Sequence, residues 1–193
     1  MEMLFKIQLM SQAVNKIGVS GLADNEYEGS LFLDKEFLPS TIKGEAGIFL
    51  LRYNIYNDEI ILNKGEEYFK VPKDGIEYFN INNKYIIRLI DSSYYIQSSS
   101  EKNNLTIVRK EKVKFTKGKI AENTYDQSIP TKFSNLKSDY FLYNSETKVL
   151  IPLNLKDLKK SFLAKSSELD LFFKQNKLKK TEDYNALLEV LTK

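Results

Sequence analysis

Arg52, Asp58 and Glu59 lie close together in the chain and are the first residues whose types invite chemistry. Two adjacent carboxylates can divide general-acid and general-base work, as in glycoside hydrolysis, and a guanidinium can hold an anion in a fixed fork. However, Asn57-Asp58 falls where a hairpin turn demands such residues, so the expectation is a turn whose charges pair across neighbouring strands. Asp24, Glu26 and Glu28 alternate and offer oxygen ligands of the kind a hard cation takes. A calcium loop carries denser ligands and a glycine at its sharp turn, so these three read as an exposed acidic loop. Glu66-Glu67 reads as a solvated strand start.

The missing residue types constrain the chemistry further. The chain has no Cys, which excludes disulfides, thiolate nucleophiles, thiolate zinc sites and iron–sulfur clusters. It has no His, which removes the commonest general base and the usual zinc, copper or iron ligand. Ser11 and Ser30 therefore have no imidazole to activate them, and there is no glycine-rich phosphate loop. The expectation is a protein without catalytic residues, cofactor or metal; an enzyme working through carboxylates alone is the remote alternative.

Two further groups of residues bear on binding. Lys156, Lys159, Lys160, Lys165, Lys174, Lys177, Lys179 and Lys180 make the C-terminal segment basic, with Phe162, Phe172 and Phe173 between them. Such a run can meet nucleic acid or anionic lipid, but it is more often the solvated face of amphipathic helices. The net charge of +3 is too small to point to nucleic acid, and only Arg52, Arg88 and Arg109 are arginines. Tyr53, Tyr56, Tyr68, Tyr78, Tyr94 and Tyr95 form the second group. In the pairs Tyr68/Phe69, Tyr78/Phe79 and Tyr94/Tyr95, one ring enters the core and the other faces out, where tyrosine suits a partner surface. Cross-strand aromatic ladders that stabilise the sheet are the competing reading.

Strands must position these residues. Apolar runs recur with turn signals every ~8–12 residues, the rhythm of an antiparallel meander. Ile48–Ile55 is the strongest run, and Asn57-Asp58 turns it into Glu59–Leu62. Glu67–Val71, Ile76–Ile81, Lys84–Ile90, Tyr94–Gln97 and Leu105–Phe115 follow, separated by Pro72-Lys73-Asp74-Gly75, Asn82-Asn83, Asp91-Ser92-Ser93 and the loop Ser98–Asn104. Pro39 is expected to end pairing in the run before it. Residues 116–138 read as a loop wrapping the sheet, and Asp139–Tyr143 with Lys148–Pro152 as a late hairpin. From Asn154 the period becomes helical, with Asn154, Ser166 or Ser167, and Thr181 as caps of three short helices. The fold class is α+β: a mostly antiparallel meander (curved sheet, sandwich or open barrel) followed by a short helical segment. Residues 29–193 read as one β-rich domain, and 1–28 as an N-terminal segment that is loop or the remnant of an export signal. No run of 18 or more apolar residues exists, so no transmembrane helix is expected.

The stretch from Gly29 to Leu191 resembles a family of small, uncharacterised exported proteins of Bacteroidota. Gly29-Ser30-Leu31-Phe32-Leu33-Asp34-Lys35-Glu36-Phe37, Lys132-Phe133 before Asp139-Tyr140-Phe141-Leu142, and Asn176-Lys177-Leu178 carry the resemblance. Leu51-Arg52-Tyr53-Asn54-Ile55-Tyr56-Asn57-Asp58-Glu59 is its most specific part. The resemblance implies a periplasmic or outer-membrane-associated β-rich protein and supplies no activity or site residues. Family members begin with a clear export signal and this chain does not match there, so a cytoplasmic location stays open. The functional expectation is a non-enzymatic binding or structural protein of the cell envelope, acting through a tyrosine-rich sheet face or an edge strand. The alternative is a carrier of a small apolar ligand, held between a curved sheet and the helices.

Overall fold

A computed structural model of the chain describes residues 27–65, 67–119 and 127–193. Asp24, Glu26, Ser11, Glu66 and most of the 1–28 segment lie outside the described residues. Twelve strands are found among those described: β1 Leu38–Ile42, β2 Phe49–Asn54, β3 Glu59–Lys64, β4 Glu67–Lys70, β5 Tyr78–Ile81, β6 Tyr85–Ile90, β7 Ser93–Gln97, β8 Leu105–Lys110, β9 Val113–Thr116, β10 Lys132–Asn135, β11 Asp139–Asn144 and β12 Leu150–Pro152. Ten of them form one open sheet in the order β12-β11-β8-β7-β6-β5-β1-β2-β3-β4, so the sheet does not close into a barrel. The α+β reading of the sequence holds. The chain divides into two compact units, one holding the residues up to Tyr94 with Glu111–Lys137, the other Tyr95–Lys110 with Ser138–Lys193.

Turn chemistry sets the hairpins. Asn82 and Asn83 both have φ of 52°, and Lys84 N–H donates to Ile81 C=O at 2.9 Å. Two successive left-handed residues match the right-handed twist of the strands they join, and Asn tolerates that region. Asp91-Ser92 and Asn103-Asn104 repeat the arrangement.

In the first unit the larger core lies against one side of the sheet, while Arg52 and Ile61 are buried on the other. Leu51, Tyr53, Ile60, Leu62, Phe69, Phe79 and Ile87 alternate inward and are buried. Tyr94 packs edge-on against both Tyr53 and Phe79, with ring centroids 5.8 Å apart in each case. Two expectations are corrected. Pro39 does not end pairing: it sits within β1, opposite Leu50, and its carbonyl accepts the Asn82 N–H at 2.9 Å. Proline is accommodated there because the bond formed uses its carbonyl, which needs no N–H. Nor is 116–138 wholly loop, since β10 pairs with β9 as a separate two-stranded sheet. Phe133 of that ribbon joins Leu31 and Phe32 in a small buried cluster.

In the second unit, α1 (Leu155–Ser161), a 3-10 turn (Leu163–Lys165), α2 (Ser166–Gln175) and α3 (Thr181–Thr192) follow β12. Leu158, Leu169, Phe172, Leu187 and Leu188 bury their side chains with Leu105, Ile107 and Leu142 of β8 and β11. The Asn154 side chain caps α1, accepting from Asp157 N–H at 3.0 Å. The other two caps differ from expectation. Ser166 is already helical, and α3 is capped by Asp183, whose carboxylate accepts the N–H groups of Lys179 and Lys180 at 3.0 and 3.1 Å. This carboxylate in the first turn fixes the chain entering α3 through the backbone N–H groups at and before the N-cap, and it suits the helix dipole.

Candidate functional site

The first constellation, Arg52 with Asp58 and Glu59, is distributed by the structure over separate contacts. Asp58 closes the β2–β3 connection with φ of 55° and accepts from Tyr53 Oη at 2.8 Å, from Tyr94 N–H at 3.2 Å and from Lys73 Nζ at 2.6 Å. Burial, reinforced by this carboxylate, holds the Tyr53 and Tyr94 phenols well above the ordinary tyrosine range. Glu59 instead forms an ion pair with Lys70 of β4. Asp58 is thus an architectural acceptor that ties three connections together.

Arg52 lies on the side of the sheet opposite Tyr53 and is only 8% exposed. Its guanidinium carbon stands 3.3 Å from the Phe32 ring centroid and 4.8 Å from that of Phe37, and Nη1 donates to Lys35 C=O at 2.6 Å. The segment before β1 is thereby held down over β2. Ser30, Lys35, Glu36 and Arg52 help to line a pocket of about 370 Å³ at this place. Tyr27, Gly29 and Phe32 complete its lining. Ser30 makes a local turn, donating to Phe32 C=O at 3.2 Å and accepting its N–H at 3.0 Å. Glu28, the one described member of the acidic trio, stands 4.0 Å from Lys132 Nζ. No group of three metal-capable side chains occurs among the described residues.

The six tyrosines do not form one surface. Tyr53 and Tyr94 are 2% and 1% exposed, which corrects their inclusion in a contact surface: strand alternation and the turn into β7 direct both rings into the core. Tyr56 lies after β2 and packs on Phe133 and Phe115. Tyr95, in the second unit, is half-buried against Phe141 with Lys110 Nζ over its ring. Tyr68 and Tyr78 remain on the outward side of the first unit's sheet, while Phe69 and Phe79 point inward as expected.

Register shows what accompanies Tyr68. Pro39 stands opposite Leu50, Leu50 opposite Asn63, and Asn63 opposite Tyr68. Directly opposed residues share a face, so these four side chains form one row across β1–β4, about 14 Å from end to end at the usual strand spacing. Leu50 is 43% and Tyr68 41% exposed. Phe37 stacks on Tyr68 with centroids 5.2 Å apart and ring planes within 10°. The sequence signalled the exposed tyrosine but not the row, because opposition of Leu50, Asn63 and Tyr68 depends on the register of three hairpins.

The chain matches no protein-family model, no curated protein and no solved structure. Among the described residues no helix is long and apolar enough to cross a membrane.

Proposed function

We propose that this chain is a non-enzymatic binding protein of the bacterial cell envelope that engages a protein partner through the outward face of the first unit's sheet. The Pro39–Leu50–Asn63–Tyr68 row is the observation that carries the reading. It presents an exposed aliphatic side chain and a ring braced by Phe37, with Asn63 between them in the row. A rigid tyrosine with a polar tip beside exposed leucine is the composition that protein interfaces favour over bare surface. Tyr78, with Lys43 within 6 Å of its ring, extends the same face, where the Lys43 ammonium favours a partner carboxylate; Arg88 beside it is paired with Glu77 at 3.6 Å. The envelope as the place of action is supported by the family resemblance of the Leu51–Glu59 string.

A photocrosslinking amino acid placed at Tyr68 in the cells that make the protein tests the reading. One discrete crosslinked product, absent when the probe replaces Thr192 at the far end of the chain, is the expected result. Equal and diffuse labelling from both positions contradicts it.

A further inference from the structure

The helical part of the second unit carries a separate signal. Between Asn154 and Lys180 there are eight lysines and three acids, Asp157, Glu168 and Asp170, a difference of five positive charges. Each acid is matched by a lysine within the same segment: Asp157 by Lys160 at 3.6 Å, Glu168 by Lys165 at 3.1 Å and Asp170 by Lys159 at 2.6 Å. Asp183, just beyond the segment, accepts the Lys179 and Lys180 N–H groups and faces their charge, so the excess resides on Lys156, Lys174 and Lys177, all of them exposed. Two leucines of the same segment stand without cover. Leu163, on the 3-10 turn, is 77% exposed, and Leu171, on α2, is 55% exposed. Leu163, Ser167, Leu171 and Lys174 recur at i, i+4, i+8 and i+11, the spacing of one helical stripe, and all four are exposed. Leu169 and Phe172 lie on the opposite stripe and are buried in the core.

Aliphatic side chains in water are tolerated singly, but two on one stripe with Lys174, in a segment of net positive charge, fit an interface that is part apolar and part anionic. We propose that this surface attaches the chain to an anionic lipid bilayer, with Leu163 and Leu171 entering the headgroup–acyl boundary and the lysines meeting lipid phosphates. Nucleic acid would engage the lysines and leave the leucines in water, so the leucines decide between the two. The stripe lies wholly within the second unit, and this proposal stands apart from the sheet-face reading.

Co-sedimentation of the full chain with vesicles tests it. Retention is expected on vesicles containing phosphatidylglycerol and not on pure phosphatidylcholine, with release at high salt. Leu163→Ser with Leu171→Ser, and separately Lys174→Glu with Lys177→Glu, should each lower the partition coefficient about tenfold. All four side chains are exposed, so the thermal melt of each variant should match the parent. Absence of retention, equal retention on both vesicle types, or retention indifferent to the leucine pair overturns the proposal. So does lysine-dependent binding of a DNA duplex in place of lipid.

Discussion

Replacing Asp58 by alanine removes one acceptor from three donors at once. Tyr53 Oη sits in a residue only 2% exposed, so its hydroxyl would lose its partner in the core, at a cost of about 1–3 kcal/mol. The Tyr94 N–H loses an acceptor as well, adding about 1 kcal/mol. Alanine at φ of 55° lacks the local polar contact that lets aspartate rest in the left-handed region, worth about 1 kcal/mol. Lys73 Nζ also donates to Ser92 C=O, so the loss of its ion pair contributes less. These terms share one site and overlap, so the expected loss is about 2–4 kcal/mol, below their plain sum and still a large part of what a domain of this size possesses. Urea unfolding followed by circular dichroism should show a lower midpoint with an unchanged slope. Asp58→Asn keeps the backbone preference and one acceptor oxygen and should lose about half as much. If Asp58→Ala lies within about 1 kcal/mol of the parent, the architectural role assigned to Asp58 is refuted.

Other consequences follow from the same contacts. Gly29 has φ of +81°, and a Cβ there would come 2.0 Å from the Phe133 carbonyl oxygen, so Gly29→Ala should destabilise by about 2–5 kcal/mol in the same urea assay. The buried phenols make the fold sensitive to alkali. Tyr53, Tyr94 and Tyr184 all have raised folded pKa values, so each keeps its proton in the fold at a pH where the unfolded chain releases it. Their stabilisation is complete below the ordinary tyrosine pKa of about 10 and is lost progressively as pH rises above it. Ultraviolet titration should therefore show these phenols ionising together with unfolding, and smooth ionisation of all tyrosines in a folded chain would disprove their burial. Asn154→Ala removes the α1 cap and should cost about 1 kcal/mol, read as a small downward shift in melting temperature.

Local rules made much of the fold legible. Asn82-Asn83 and Asp91-Ser92 mark hairpins because these residues tolerate positive φ, and Phe69 and Phe79 show which side of each strand is apolar. Long-range placement was not legible. Pro39 looked like a terminator because its missing N–H counts only if the ladder calls for a donor there, and that depends on its neighbours β2 and β5. The segment 132–135 lacked strand signals of its own and became β10 by pairing with β9. Tyr53 and Tyr68 are both tyrosines on strands, yet one is buried and the other open, a difference that depends on what covers each side of the sheet. Arg52 looked ready to pair with Asp58 or Glu59, yet it lies between Phe32 and Phe37, rings contributed by a distant irregular segment.

The native size of the protein tests the proposed sheet-face function most directly. Size-exclusion chromatography of extracts from the cells that make it should show the chain in a complex well above its own 22.4 kDa. The pair Leu50→Asp with Tyr68→Asp should release it to the free position, with the variant still folded and its melting temperature lowered by the lost Phe37 stacking. Co-migration of parent and variant, in a complex or free, would contradict a partner bound through that row.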